Sequence, residues 1–302
     1  MDFIFQKFCD HFPPSKMNSK IKKKFFYFIF SILKFFLKGP FNLNFGNFNF
    51  YAYPQKADYT KFMLTRVELP DPRERKIIKQ NLNGEQNLFI DCGANAGFYS
   101  LDIWSSVNNC KIYAFEPSVK ERYFLNENLK LNKAEEIKVI DLAVGDKNGL
   151  VTFNDTRDNS GSNSSGGGYI TEKKTNTPRN YEVKIVTLDE FFKNKSNELK
   201  KANIFIKIDL EGYDFKAIKG AKNLILNNDC SIVFEFSKMI ISQEDYSKNY
   251  LDEFLTNNFK LYDMYGAVVD INELESRLNQ LDHVHDTCGN FFLSKKELDF
   301  TY

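Results

Sequence analysis

The sequence predicts an α/β fold in which buried, mostly parallel strands alternate with helices. Three stretches carry this prediction. Residues 88–101 (LFIDCGANAGFYSL) run from an apolar strand through a glycine turn into a helix. Residues 111–116 (KIYAFE) and 204–212 (IFIKIDLEG) are two further apolar strands that end in acids. Acids at the ends of buried strands favour a binding crevice at one edge of a parallel sheet.

The turn after the first core strand has the character of a nucleotide-binding turn. Gly93 and Gly97 permit backbone angles that a Cβ atom blocks, and the amides of the next helix face whatever lies above the strand. A dinucleotide fingerprint requires G-x-G-x-x-G, whereas Asn95 replaces its second glycine. The spacing Asp91-x-Gly-x-Asn-x-Gly therefore favours another nucleotide-like ligand, and an ordinary strand-to-helix turn is the alternative.

Length and charge limit the possible functions. A chain of 302 residues can form one large core with appendages, so we expect an N-terminal extension over residues 1–60 and one domain over residues 61–302. With 41 basic and 40 acidic residues the net charge is +1, which gives no support for a nucleic-acid binder. The five cysteines form no C-x-x-C pair, so we expect reduced core thiols in a cytoplasmic protein.

The N-terminal extension combines basic and aromatic residues. Five lysines in residues 16–24 precede the run 25–37 (FFYFIFSILKFFL), and a helix is predicted over residues 21–38. The run is shorter than the roughly 20 residues that span a bilayer, and no small-residue cleavage site follows it. Such a helix suits an interfacial anchor on an anionic inner leaflet. A helix that packs its Phe face on the domain, or on a second copy, fits the pattern equally well.

The elements that lead into the domain and follow its second strand have local signals. Residues 41–60 alternate Asn with aromatic residues, which predicts a strand or hairpin, and residues 66–80 form a charged helix. Ser118 with Glu121 makes a capping box for a helix that runs to about Leu131. Glu116 lies 19 residues beyond Gly97, where βαβ nucleotide sites place the acid that binds the ribose hydroxyls.

A third strand is predicted over residues 137–142. The turn residues after it predict a hairpin partner over residues 151–153. Residues 159–168 (NSGSNSSGGG) are too poor in apolar groups to pack and are predicted to form a mobile loop. A strand over residues 181–186 and a short capped helix over residues 187–192 follow.

The stretch 204–212 is the second dense signal. Strand alternation places Phe205, Lys207 and Asp209 on one face. Charges at the end of a buried strand are costly unless they are paired or used, so a simple Lys207–Asp209 pair is the alternative to a functional role. A helix over residues 213–226 and a strand over residues 231–236 come next.

In the C-terminal part of the sequence we expect a helix near residues 247–257, a strand over 260–264, a helix near 271–280 and a last strand over 290–294. His283 and His285 form a His-x-His pair that could ligate a metal, but no third ligand has a matching spacing. No metal site is therefore predicted.

Six segments together resemble the FkbM family of methyltransferases that use S-adenosyl-L-methionine (SAM). They are IDCGANAGFYSL, YAFEPS, DLAVGD, VTLDEFF, IKIDLEGYDFKAIKGA and IVFEFS, and the resemblance runs from about Leu88 to Phe236, with a weaker similarity that continues to Ser294. The resemblance implies a Rossmann-like class I methyltransferase fold with a mostly parallel seven-stranded sheet and helices on both faces, here with an N-terminal helical extension. It also implies O-methylation, often of sugar or polyketide hydroxyls.

The resemblance and the strand ends together indicate the site. The glycine turn would lie close to the methionine end of SAM, Glu116 would bind the ribose, and the residues after the third strand would border the adenine. The expected cofactor-binding residues are Asp91, Gly93, Asn95, Gly97, Phe98, Glu116, Pro117, Asp141, Leu142 and Ala143. The expected catalytic residues are Lys207, Asp209, Glu211 and Glu235.

The resemblance implies O-methylation of a hydroxyl of a glycan or glycolipid, in surface glycan or lipopolysaccharide biosynthesis. With the basic, aromatic N-terminal extension, we expect the protein in the cytoplasm or on the cytoplasmic face of the membrane. One alternative is a nicotinamide-dependent oxidoreductase, which is disfavoured by Asn95 and by the lack of a Tyr-x-x-x-Lys pair in the expected region. A non-catalytic, membrane-tethered scaffold is the other, and it gives no reason for acids at so many strand ends.

Overall fold

The strands of the protein form three sheets. The computed structural model describes residues 1–17, 19–33, 35–53, 63–64, 68–155, 168–171, 180–237, 250–274, 276 and 288–301. The strands in this part of the chain are β1 (Phe41–Asn44), β2 (Asn49–Ala52), β3 (Asn87–Cys92), β4 (Cys110–Phe115), β5 (Lys138–Ile140), β6 (Ala143–Val144), β7 (Gly149–Asp155), β8 (Gly168–Thr171), β9 (Asn180–Val186), β10 (Asn203–Ile208), β11 (Cys230–Ser237), β12 (Lys260–Tyr262) and β13 (Cys288–Ser294).

Helices connect most of these strands. The α-helices are α1 (Asp2–His11), α2 (Lys20–Leu33), α3 (Pro72–Asn81), α4 (Phe98–Ser106), α5 (Val119–Asn132), α6 (Leu188–Phe192), α7 (Ser196–Leu199), α8 (Asp214–Gly220), α9 (Lys222–Asn227) and α10 (Asp252–Thr256), and 3₁₀ turns cover Pro14–Lys16 and Ile271–Glu273. The helix expected near residues 271–280 is thus a 3₁₀ turn at its start. None of the described helices is both long and apolar enough to cross a membrane.

A seven-stranded sheet is the frame of the domain, with the order β12-β13-β11-β10-β3-β4-β5. The pairs from β11 to β5 are parallel, whereas β13 runs antiparallel to both β11 and β12. The sheet is therefore mixed, as the expected mostly parallel sheet allows. Strands β3 and β10 lie side by side at its centre and every residue of both is buried, which is typical of strands covered on both faces.

Alternate residues of the central strands enter two different cores. Ile204, Ile206 and Ile208 pack in one cluster with residues of β3 and of α8 to α10. Phe205 belongs to the other cluster, which also contains Phe89 and side chains of α4 and α5. The predicted alternation is confirmed, and Lys207 therefore lies on the same face of the sheet as Phe205.

A second sheet, of order β6-β9-β7-β8, lies beside the first one. The sequence predicted that residues 151–153 form a hairpin with the third core strand, and this is wrong. Strand β7 pairs with β8 and β9, and β5 pairs only with β4 among the described strands. The reason is packing: Val151 and Phe153 bury their side chains in a small cluster with Ile185 and Tyr213.

The N-terminal residues pack onto the same core as the domain. Phe5 of α1 and Phe26 and Phe30 of α2 are buried in the cluster that contains Phe89. The hairpin predicted within residues 41–60 is confirmed as the β1–β2 pair. The helix predicted over residues 21–38 corresponds to α2, and the charged helix predicted over residues 66–80 corresponds to α3; both are shorter than expected. Helix α1 was not predicted, because residues 2–11 (DFIFQKFCDH) mix Phe and polar residues in a pattern that does not clearly indicate a helix.

One buried amide connects this hairpin to the domain. Asn128 of α5 accepts a hydrogen bond from the backbone N–H of Tyr51 at 2.8 Å. Its Nδ2 donates to the carbonyl of Ala96 at 3.0 Å. Ala96 belongs to the glycine turn after β3, so a single side chain joins the N-terminal hairpin to that turn.

The predicted helix over residues 213–226 is divided into α8 and α9 at Ala221. The carboxylate of Asp189 accepts hydrogen bonds from the backbone N–H groups of Asn223 at 3.0 Å and of Leu224 at 2.8 Å. A side-chain cap of this kind satisfies the first amides of a new helix. Residues 159–167 of the predicted mobile loop, and His283 and His285, lie outside the described residues.

Candidate active site

A cavity of about 400 Å³ opens at the carboxyl ends of β3, β4, β10 and β11. This volume lies within the range of about 300–1,000 Å³ that is usual for ligand sites. Ten of the predicted site residues line it. They are Gly93, Asn95, Phe98, Glu116, Pro117, Ala143, Lys207, Asp209, Glu211 and Glu235.

Four predicted residues do not line the cavity. Asp91 is fully buried behind the turn, and Gly97 forms the N-cap of α4. Asp141 is exposed, and Leu142 packs against the core cluster that contains Ile204, Ile206 and Ile208. The sequence after β5 therefore brings Ala143, and not Asp141 or Leu142, to the cavity wall.

The glycine turn after β3 needs its glycines. Gly93 has φ +85°, and a Cβ there would lie 2.1 Å from the carbonyl oxygen of Asp209. Gly97 has φ +88°, and its Cβ would lie 2.3 Å from a methyl group of Leu125. The ends of β3 and β10 therefore approach each other more closely than any other residue type at position 93 would permit.

Glu116 connects the end of β4 to the glycine turn. Its Oε2 accepts the backbone N–H of Asn95 at 2.8 Å, and its Oε1 accepts the backbone N–H of Ser118 at 2.8 Å. The carboxylate is 6% exposed and lies on the cavity wall. A buried carboxylate of this kind is a strong acceptor for further donors on a ligand.

Lys207 is the only basic side chain on the described wall of the cavity, and it is 3% exposed. Its Nζ lies 2.9 Å from Oδ2 of Asp209, 4.0 Å from Oδ1 of Asp91, and 4.6 Å from the centre of the Tyr99 ring. Burial lowers the pKa of Lys207, but the carboxylates of Asp209, Asp91 and Glu74 more than offset this, and the net pKa is raised. Lys207 is therefore a permanent cation.

Glu235 lies on β11, next to β10. Burial raises the pKa of Glu235 to about 9, and the nearby carboxylates of Asp209, Asp214 and Glu211 add to the effect. Asp214, which is fully buried, accepts weak hydrogen bonds from the backbone N–H groups of Leu210 at 3.4 Å and Glu235 at 3.3 Å. This carboxyl group links the segment after β10 to β11.

Sequence reasoning missed one wall of the cavity. Glu74 and Asp71, at the start of α3, line the cavity together with Tyr99 and Asn290. The Tyr99 hydroxyl donates to Oε1 of Glu74 at 2.7 Å and lies 3.3 Å from Oδ2 of Asp71, and Nδ2 of Asn290 donates to Oε2 of Glu74. Burial raises the pKa of Glu74 to about 7, with Asp71 as the second cause. In the sequence, Glu74 belongs to a predicted helix that is rich in charged residues, and such a helix is expected to be exposed to solvent.

The second sheet supplies the remaining side of the cavity. Phe153 of β7 and Tyr169 and Ile170 of β8 line the cavity, as do Pro117 and Ala143, and Phe153 packs in the same small cluster as Ala143. This side is apolar and aromatic, whereas the side formed by α3 and the ends of β10 and β11 is acidic. Among the described residues no group of three or more His, Cys, Asp or Glu side chains could hold a metal ion.

The residues of the cavity fit S-adenosylmethionine. The apolar side that includes Pro117 and Ala143 suits an adenine ring, and Glu116 offers a carboxylate to a ribose. Oδ1 of the buried Asp91, behind the turn, has no hydrogen-bond partner in the described part of the chain, and its ion-pair partner there is the Nζ of Lys207 at 4.0 Å.

Solved structures with low sequence identity resemble about three quarters of the chain. The methyltransferase FkbM from Methylobacillus flagellatus KT is 15% identical, covers 78% of this chain and has a TM-score of 0.41, and the chain spans 52% of its length. An rRNA methylase from Streptococcus thermophilus (11% identity, 76% of this chain, 98% of that one) has a TM-score of 0.41. The precorrin-6y C5,15-methyltransferase from Geobacter metallireducens GS-15 (11%, 75% and 91%) has a TM-score of 0.39.

No curated protein matches the sequence. The family model of the methyltransferase FkbM domain matches residues 91–284, which is more than half of the chain. This range begins at the last residues of β3 and includes the glycine turn, Glu116 and the segment Lys207–Glu211. It confirms the resemblance drawn from the six sequence segments. The chain is therefore a methyltransferase of the FkbM family, and its cofactor is S-adenosylmethionine.

Proposed function

We propose that this protein O-methylates a sugar hydroxyl, in the biosynthesis of a surface glycan or lipopolysaccharide. The observation that carries the proposal is the position of Lys207, Asp209 and Glu211 on the wall of the same cavity as the glycine turn. Charged groups at the end of a buried strand, beside the cofactor turn, suit an acceptor whose proton must be removed.

The reaction is the transfer of a methyl cation equivalent from a sulfonium to an alcohol oxygen. The C–S bond breaks as the O–C bond forms, and the hydroxyl proton leaves to a base. Placing the hydroxyl in line with the methyl group supplies much of the acceleration. A sugar hydroxyl is too weak an acid to ionise freely, so we expect a base within hydrogen-bond reach of it.

We assign the base to Asp209 or Glu211, with Lys207 as its partner and without an obligatory metal. The Nζ of Lys207, 2.9 Å from Oδ2 of Asp209, pairs with that carboxylate and orients it. Glu211 lines the cavity with a left-handed backbone, φ 51°. Glu235 is a poorer base in the unliganded site, because a carboxyl group with a pKa of about 9 is protonated at neutral pH.

The cofactor would lie between the glycine turn and the apolar side of the cavity. Glu116 would accept hydrogen bonds from the ribose, and the turn at Gly93 and Asn95 would approach the methionine end. Ala143, Pro117 and Phe98 would contact the adenosine, with Asp141 and Leu142 further away than the sequence suggested. Asp91, which is buried, would act through the turn or through a water molecule.

We also propose that the N-terminal part attaches the protein to the cytoplasmic face of the membrane. Large apolar side chains of this part are exposed, including Phe3 (71%), Ile21 (80%) and Phe35 (75%). Residues 1–40 contain eight lysines and two aspartates, a net charge of +6 in a chain of net charge +1. An apolar surface with basic residues around it suits an anionic bilayer, whereas a second copy would bring two basic surfaces together.

Residues 1–60 would thus be a membrane-attachment unit, and residues 61–302 the methyltransferase domain. The ion pair between Lys23 and Glu68, with 2.8 Å between Nζ and Oε2, joins α2 to the segment that leads to Asp71 on the cavity wall. An acceptor carried by the bilayer would then be presented near the cavity.

Two measurements test the function. Calorimetry with SAM and with NADH separates a methyltransferase from a nicotinamide enzyme, and we expect binding of SAM alone. Mass spectrometry of surface glycans from a strain that lacks this protein should show the loss of one methyl group from a sugar. Glycans that remain unchanged, together with a missing methyl group on another class of molecule, would overturn the sugar acceptor.

A further inference from the structure

The N-terminal hairpin follows the surface of α5 with a regular spacing. Every second residue from 49 to 53 meets every fourth residue of the helix. The pairs are Asn49 with Asn132, Tyr51 with Asn128, and Tyr53 with Phe124. Two residues of a strand rise about 6.6 Å and four residues of a helix rise about 6 Å. The strand and the helix therefore stay in step over all three contacts.

Two of these contacts join amide side chains of α5 to the backbone of β2. Oδ1 of Asn132 accepts the N–H of Asn49 at 2.7 Å, and its Nδ2 donates to the carbonyl of Asn49 at 2.7 Å. Oδ1 of Asn128 accepts the N–H of Tyr51 at 2.8 Å. The two amides thus pair with the edge of β2 in the way that a further strand would.

Asn128 differs from Asn132 in what its nitrogen binds. Nδ2 of Asn128 donates to the carbonyl of Ala96 at 3.0 Å, inside the glycine turn. Nδ2 of Asn132 donates to the carbonyls of Asn49 and Asn128, at 2.7 Å and 2.8 Å. Among the described residues, the hydrogen bonds of Asn132 therefore join the hairpin to the helix, and Asn128 adds the turn.

The hairpin fixes the direction in which the Asn128 amide points. This side chain is fully buried, with its oxygen on the N–H of Tyr51 and its nitrogen on the carbonyl of Ala96. Exchanging the two ends would place donor against donor and acceptor against acceptor, which is costly where water is excluded. The N–H of Tyr51 thus selects the orientation that directs the nitrogen to the turn.

On the side of β4, the glycine turn is held through its N–H groups. Those of Gly93 and Ala94 donate to the carbonyl of Phe115, at 3.0 Å and 2.9 Å. The N–H of Asn95 donates to Glu116 at 2.8 Å. These bonds fix the first half of the turn.

On the side of α5, the second half of the turn is held by two side chains that lie three residues apart. Asn128 binds the carbonyl of Ala96, which is fully buried. Leu125 packs so closely on Gly97 that a Cβ there would lie 2.3 Å from its methyl group. Packing prevents the turn from moving towards α5, and the hydrogen bond prevents it from moving away.

We propose that Asn128 is a positioning residue for the cofactor, which holds the glycine turn in the shape that binds the methionine end of SAM. The inference rests on the proposed function, which places that end of SAM at the turn. A turn without this hydrogen bond has the binding shape for only a fraction of the time, and the affinity falls by that fraction. SAM affinity therefore depends on the hairpin over residues 41–52, which precedes the family domain over residues 91–284.

The first test is calorimetry of the full chain with SAM and with S-adenosylhomocysteine. Asn128→Ala should weaken both ligands about three- to tenfold, the range of one neutral hydrogen bond. Asn132→Ala is the matched control, since it removes the same type of contact with the hairpin but none with the turn. Both variants should lower the melting temperature, and only Asn128→Ala should lower the affinity. A merely structural role would change the melting temperature alone.

Two further comparisons guard against a variant that folds poorly. Asn128→Leu fills the same space without an amide, and it should weaken SAM as Asn128→Ala does. Tyr51→Pro removes the N–H that orients Asn128, and it should weaken SAM as well. Asn49→Pro removes the N–H that Asn132 accepts and should bind SAM as the unmodified protein does, because Pro is tolerated at a strand edge.

Glu116→Ala, measured beside these variants, separates the inference from the proposed function. If Glu116→Ala weakens SAM while folded Asn128→Ala and Asn128→Leu bind it within twofold of the unmodified protein, the inference is overturned and the proposed position of the cofactor stands. If none of the three variants changes the affinity, both are overturned. Equal weakening in Asn132→Ala and Asn128→Ala would show a general loosening of α5 and overturn the role of the bond to Ala96.

Discussion

The carboxylate of Glu116 accepts the backbone N–H of Asn95 with an N···O distance of 2.8 Å. The acid at the end of β4 and the turn after β3 are therefore one unit, although 21 residues separate them in sequence. Its second oxygen accepts the N–H of Ser118 at the start of α5. Glu116 thus orders two backbone segments that a cofactor would contact.

Glu116→Ala should reduce SAM affinity about ten- to a hundredfold, because it removes charge-assisted hydrogen bonds that are worth about 1.5–3 kcal/mol. Titration calorimetry of the folded variant measures the change. Glu135→Ala, at an exposed position outside the cavity, is the matched control and should bind as the unmodified protein does. An affinity within twofold of the original in Glu116→Ala would show that the ribose lies elsewhere.

Asp209→Asn and Glu211→Gln should each keep SAM binding, and at least one of them should lower turnover by about 10²–10⁴, the usual contribution of a general base. Turnover is measured on the natural acceptor, with Glu182→Gln as an exposed control. Near-normal rates in both variants would place the base on another residue, with His283 and His285 next to be tested.

Turnover should also survive treatment with EDTA. The ammonium of Lys207 already balances the negative charge of the Asp209 carboxylate, so that a metal ion is not needed for this purpose. Activity that is lost with EDTA and restored by Mg²⁺ would favour a divalent ion held by these oxygen ligands instead.

The full-length protein should bind vesicles that contain phosphatidylglycerol, and added salt should weaken the binding by screening the lysines. The double variant Phe35→Ser, Phe36→Ser should bind less, because both side chains are exposed, at 75% and 65%. Leu150→Ser, at an exposed position on β7, should have no effect. Sedimentation with vesicles measures this, and binding that ignores both salt and the double variant would contradict membrane attachment.

Stability should fall as pH rises, owing to Glu235. Its folded pKa of about 9 is above the ordinary value of 4.5, so the folded protein binds more protons than the unfolded chain between these pH values. This contribution is complete below about pH 4.5 and is lost as pH rises towards 9. Glu235→Gln should flatten the decline of the melting temperature over this window. A parallel decline in the variant would assign it to other groups.

The side of the cavity that is formed by the glycine turn and Glu116 could be predicted because its signals are local. Asp91, the glycine turn and Glu116 each stand at the end of a strand that the apolar pattern makes visible, and the parallel pairing of β3 with β4 then brings them together. The same logic placed Lys207 and Asp209 beside the turn, since β10 pairs with β3.

The α3 side could not be predicted, because its burial depends on distant contacts. Glu74 meets Asn290 across 216 residues of sequence, and a helix that reads PRERKIIKQN shows no sign that an acid in its first turn is buried. The pairing of β7 was missed for a similar reason: a turn motif indicates that a chain reverses, but not which strand it then joins.

The contact between Glu74 and Asn290 joins two segments that lie on either side of the family domain. The family model spans residues 91–284, so one partner precedes that range and the other follows it, and Asp71 also lies before it. Part of the cavity wall is therefore built from segments outside the matched domain. A substitution in these flanking segments can reshape that wall while the glycine turn, Glu116 and Lys207 stay as they are.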